Sequence, residues 1–95
     1  MKTNAMSETV TVTADWQEMK FPFLANVLIL TNTSAVAGTI FCKTEDDFGS
    51  TNPNPGFPLE SFTSHDRRII DKATVIRVLY KSADPGQELL IEAWK

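Results

Sequence analysis

From residue 9 to residue 14 the chain reads TVTVTA, with Val10, Val12 and Ala14 on one side and Thr9, Thr11 and Thr13 on the other. That period of two marks a half-buried β-strand and argues against a helix, whose apolar face needs residues three and four apart. The preference recurs along the chain. Residues 26–32 (NVLILTN) form a continuous apolar run with turn formers at both ends, too short for a typical helix, and read as a central strand. In residues 38–44 (GTIFCKT), Thr39, Phe41 and Lys43 share one face, and Ile40, Cys42 and Thr44 the other. Residues 74–80 (TVIRVLY) are dense in β-branched side chains and predict a further strand. In residues 88–94, Leu89, Ile91 and Ala93 alternate with Leu90, Glu92 and Trp94. The last two strands are expected to pair as an antiparallel hairpin through Asp84, Pro85 and Gly86, where proline fixes the first corner and glycine accepts a positive φ at the second.

The remaining segments are less regular. Residues 1–7 predict a flexible N-terminal arm, with a single domain over 8–95. Residues 15–22 read as a connecting loop anchored by Trp16, Met19 and Phe21, because Pro22 would interrupt a ladder. Residues 45–58 are rich in acids, Gly, Asn and Pro and predict a long exposed loop, the first place to seek a contact surface. Residues 57–63 suggest a short strand with Pro58 at its start or at a sheet edge, and residues 67–70 are ambiguous. Short strands, no helical stripe and breaker-rich connections together predict an all-β fold. Its expected form is a compact antiparallel β-sandwich, jelly-roll-like, of about six to eight strands.

A chain of 95 residues suits one domain. At that size only roughly 60–65% of the unfolded surface is buried, so the core is modest. Cys42 is the lone cysteine and His65 the lone histidine, which leaves neither an internal disulfide nor a Cys/His zinc site to reinforce it. Packing or oligomerisation must do so. The formal charge of −3 gives no overall basic footprint for nucleic acid. Apolar runs are far shorter than the ~20 residues of a membrane-spanning helix, and no cofactor motif is present.

Several clusters invite chemistry and have plainer readings. Ser64, His65 and Asp66 are adjacent in sequence, but neighbouring strand residues point to opposite faces, so they read as a polar turn rather than a triad. Glu45, Asp46 and Asp47 lack the spaced ligands of a calcium loop and read as a solvated acidic segment. Cys42 reads as a buried small hydrophobe. Arg67 and Arg68, beside Asp66 and Asp71, suit either an anion or a rim of intersubunit ion pairs. Trp16, Phe57, Tyr80 and Trp94 serve either as core and interface packing or as a platform for sugar rings.

One resemblance spans about two thirds of the chain. The strand 27–32 (VLILTN), the loop closing on GFPL at 56–59 and the strand 75–80 (VIRVLY) resemble small virion structural proteins of tailed bacteriophages. The resemblance implies a jelly-roll or β-sandwich module, made in the bacterial host cytoplasm and carried in the virion. Its expected role is that of a non-enzymatic capsid decoration or cement protein that binds and stabilises the shell. The implied partners are the major capsid protein, other virion proteins and further copies of the chain, as a trimer, with neither nucleic acid nor membrane among them. A tail-fibre or carbohydrate-binding module using exposed aromatics is the alternative. The expected contact surface comprises Asp46, Asp47, Phe48, Asn52, Asn54, Phe57, Arg67, Arg68 and Trp94.

Overall fold

In a computed structural model, residues 5–44, 56–61 and 65–95 are described, residues 72–74 by their backbone alone. The strands are β1 (Ala5–Thr11), β2 (Gln17–Asn32), β3 (Thr39–Thr44), β4 (Phe57–Glu60), β5 (Arg67–Lys81) and β6 (Glu88–Trp94). They form one antiparallel sheet in the order β1-β6-β2-β5-β3-β4, curled into a half-barrel. The all-β expectation therefore holds, with one continuous hydrogen-bonded sheet among the described residues.

The curl comes from the two long strands, β2 of 16 residues and β5 of 15. Their pairing shifts register twice, between Lys20 and Ala25 and again between Ala25 and Val27. At the first shift β2 carries the excess residues, at the second β5 does, and such irregularities bend strands and increase twist. Below the bend, residues 17–20 of β2 pair with residues 77–80 of β5, which β3 and β4 extend. Above it, residues 27–31 of β2 pair with residues 67–71 of β5, and β6 and β1 extend the other edge of β2. The two halves fold toward each other, and their inner faces make the core.

That core is the predicted alternation realised. Leu28 and Leu30 of β2 and Leu89, Ile91 and Ala93 of β6 meet Ile40 and Cys42 of β3, Leu59 of β4 and Val78 and Tyr80 of β5. Completely burying an aliphatic side chain of this kind stabilises by roughly 1.5–3 kcal/mol.

Four sequence expectations need correction or sharpening. Residues 17–22 belong to β2 rather than to a loop, and Pro22 is tolerated because it falls in the stretch between the paired positions Lys20 and Ala25. Residues 5–7 of the expected arm pair with β6, Ala5 opposite Trp94, so the strand begins earlier than its side-chain pattern suggests. It also stops at Thr11, and the Val12 N–H turns to the Gln87 carbonyl. The ambiguous residues 67–70 are the first part of β5.

One end of the half-barrel is closed by buried polar side chains. Asn32, at the end of β2, donates to the Leu59 carbonyl (2.9 Å) and to Gln87 Oε1 (3.1 Å). Its Oδ1 accepts the Ser34 N–H at 3.0 Å, and the Ser34 hydroxyl lies between Asn32 Oδ1 (2.5 Å) and Gln87 Oε1 (2.9 Å). That hydroxyl can donate to only one of them at a time. Gln87 Nε2 donates to the Val36 carbonyl, which also accepts the Ser61 hydroxyl. The β2–β3 connection, the end of β4 and the β5–β6 connection are thereby tied together. The last is not the hairpin expected from the sequence, because β2 lies between β5 and β6 in the sheet and pairs with both. Gly38 permits this approach, since a Cβ there would collide with the Gln87 side chain.

Candidate interaction surfaces

Directly opposed residues of an antiparallel pair share a face, so the register fixes which side chains the half-barrel turns outward. On the β1-β6-β2-β5 half, one row holds Ala5, Trp94, Val27 and Asp71. The next holds Ser7, Glu92, Ile29 and Ile69, and the third Thr9, Leu90, Thr31 and Arg67. Their neighbours along β6 and on residues 28–30 of β2 are core residues, while the alternate positions of β1 and β5 include the exposed Glu8 and Arg68. The centre of this outer surface, here the Trp94 face, is thus apolar: Trp94, Leu90, Val27 and Ile29 are half-buried and Ile69 is 52% exposed. Glu92, Asp71 and Arg67 stand among them, with Glu88 at the end of β6.

The other half has a different outer surface. Phe41 stands opposite Lys81 and Pro58, Lys43 opposite Leu79, Leu79 opposite Glu18, and Arg77 opposite Lys20. Trp16, just before β2, is bracketed by two ammonium groups, Lys43 Nζ at 4.6 Å and Lys81 Nζ at 4.7 Å from its ring centroid. Each such contact contributes about 0.5–1 kcal/mol at an exposed site. Arg77 donates to Glu18 at 3.2 Å, a half-exposed pair of little net stability. On this Trp16 face, cations outnumber acids among the described residues.

No protein-family model, curated protein or solved structure matches the chain. The surfaces must therefore be read from their own chemistry.

Of the expected contact residues, Trp94 and Arg67 come together on the Trp94 face. Phe57 and Arg68 meet elsewhere: the Arg68 guanidinium lies 4.9 Å from the Phe57 ring centroid, and Phe57 pairs with Cys42 beside the core. Asp46, Asp47, Phe48, Asn52 and Asn54 lie outside the described residues, as does most of the predicted 45–58 loop. Its last two positions, Phe57 and Pro58, are in β4. As a sugar platform the aromatic set needs correction: Tyr80 is buried in the core opposite Cys42, because its strand parity turns it inward.

Of the other clusters, Glu45, Asp46, Asp47 and Ser64 lie outside the described residues, and Asp66 has a structural role. Asp66 Oδ2 accepts the Glu60 N–H at 3.0 Å, and the Asp66 N–H donates to the Glu60 carbonyl, which closes the turn between β4 and β5. His65 beside it is exposed. Among the described residues no three His, Cys, Asp or Glu side chains gather as a metal-ligand set.

Cys42 is fully buried, and burial pushes its thiol up to about 12 from 9.0. Tyr80 is also raised, by burial first and then by Glu8 and Cys42. Above pH 9 the unfolded chain surrenders a thiol proton that the folded chain keeps, so stability is full below that pH and falls as pH rises toward about 12. Denaturant titrations across this range should show the decline, at up to about 1.4 kcal/mol per pH unit from the thiol. Cys42→Ala should flatten the profile, and an unchanged slope would contradict the assignment.

Sequence reasoning missed Ile69, Ile29 and Val27 as surface residues. In a run as uniformly apolar as VLIL nothing distinguishes inner from outer positions. Leu90 and Trp94 were legible, because Glu92 between them marks the outer side of β6.

Proposed function

We propose that this chain is a non-catalytic structural subunit that works by burying outer sheet surface against neighbouring subunits, most concretely as a capsid decoration protein of a tailed bacteriophage. The observation that carries the first part is the Trp94 face. An apolar surface of Trp94, Leu90, Val27, Ile29 and Ile69, with Glu92 among them and Asp71, Arg67 and Glu88 toward its margin, has the mixed composition of an interface. The strands β1 and β4 terminate the sheet order and offer backbone edges that a neighbour can cover. The second part rests on the likeness of residues 27–32, 56–59 and 75–80 to small virion proteins. A jelly-roll-like classification of the curled sheet belongs to the same proposal, as do residence in the virion and partnership with the major capsid protein.

Sugar binding ranks below this reading. It needs an aromatic platform, and of the four candidates Tyr80 is buried, lysines bracket Trp16 and Arg68 lies over Phe57, which leaves Trp94 alone. Mass spectrometry of particles purified from cells carrying the encoding genome tests the proposal. The chain is expected as a stoichiometric particle component, and its absence from particles would overturn the reading.

A further inference from the structure

The two outer faces are complementary. The Trp94 face sets Glu88, Glu92 and Asp71, against Arg67, around Leu90, Ile29 and Ile69. The Trp16 face sets Lys20, Lys43 and Lys81 around Leu79 and Phe41, with Arg77 held by Glu18 and with Glu60 at its β4 edge. We propose that the Trp94 face of one copy docks on the Trp16 face of a second, so that the chain self-assembles head to tail. This deepens the burial reading by naming one occupant of that face.

Charge decides between the possible geometries. A two-fold pairing of Trp94 faces would bring three acids of one copy toward the same three of the other, with one Arg67 on each side to offset them, and would leave the lysines unused. Head-to-tail docking opposes acid to base around two apolar centres, and it gives the lysines of the Trp16 face a counterpart. Each docked pair leaves one face of each kind free, so such contacts add further copies until a ring closes or the chain ends.

The contact is small. Four strands spaced ~4.8 Å apart, with several residues each, give a face of about 20 by 20 Å. That is less than the ~800 Å² per partner of a standard stable interface. Association should therefore need high protein concentration and should weaken with salt, since much of it is between partly exposed charges.

Sedimentation velocity on the full chain at high concentration and low salt tests this. The wild type is expected to form species beyond a dimer, with association weakened about tenfold or more when exposed pairs are screened by high salt. Glu92→Lys and Lys81→Glu should each be monomeric. An equal mixture of the two should associate again, because each variant retains the face the other has lost and the exchanged charges oppose each other anew. That recovery would also show that both variants are folded. A wild type that stays monomeric, or stops at a dimer, or variants that assemble like the wild type, would overturn the inference. So would a monomer that binds a single-stranded oligonucleotide through Lys43 and Lys81. A monomeric chain still found in particles would overturn this contact and leave the burial reading standing, whereas absence from particles would remove both.

Discussion

Asn32→Ala is expected to lower the unfolding free energy by about 2–4 kcal/mol, because it strips partners from several buried polar groups at once. The Leu59 carbonyl loses the Asn32 amide, and the Ser34 N–H loses its acceptor. Gln87 Oε1 keeps only the Ser34 hydroxyl among these partners. Asn32 is 0% exposed and Ser34 2%, so bulk water does not replace the lost bonds without the end of the half-barrel opening. Domains are stable by only about 5–15 kcal/mol, so a substantial share is at stake. The melting temperature should fall on the order of 10–25 °C for a chain of this size. Urea denaturation checks the free energy. Ala35→Ser, at an exposed position in the same connection, is the control and should stay within about 0.5 kcal/mol of wild type. If both variants melt alike, the polar cluster does not hold the sheet closed.

Gly56→Ala should cost a comparable amount, about 2–4 kcal/mol, by a different route. Its φ is +88°, a left-handed conformation, and an added Cβ would run into the Cys42 carbonyl oxygen and lie 2.9 Å from Lys43 Cγ. The backbone conformation alone contributes about 1–2 kcal/mol, and the rest comes from moving strand backbone where β4 starts against β3. Gly86 is the internal comparison. It has φ +76°, but its Cβ would meet only Val36 Cγ2 at 3.1 Å, so Gly86→Ala should cost only the backbone share, about 1–2 kcal/mol. Equal losses at the two sites would mean that the crowding at Gly56 relaxes freely. Thermal denaturation of the pair makes the comparison.

How much of this was legible in the sequence depended on whether a signal was local. The turn after β5 was, since Pro85 and Gly86 carry it and Gly86 does take a positive φ, but the pairing expected across it was not, because β2 lies between β5 and β6 in the sheet. The alternation of β6 was also legible, and it already set Leu90, Glu92 and Trp94 apart from the core. Residues 17–20 escaped because their strand conformation is fixed by pairing with residues 77–80, far away in sequence, and Pro22 pointed the other way. The curl escaped for the same reason, since a register shift belongs to two strands at once. The Trp16 face had the least local signal of all. Its lysines lie on β2, β3 and β5, and only the folded sheet brings Lys43 and Lys81 to either side of one indole ring.

The central claim is that the Trp94 face is a surface completed by neighbours, and hydroxyl-radical footprinting of the chain, free in dilute solution and within intact particles, tests it most directly. Trp94, Leu90 and Ile69 should be oxidised in the free chain and strongly protected in the particle, while core residues such as Leu30 and Ile91 stay protected in both states. Equal oxidation of Trp94, Leu90 and Ile69 in the two states would contradict the account.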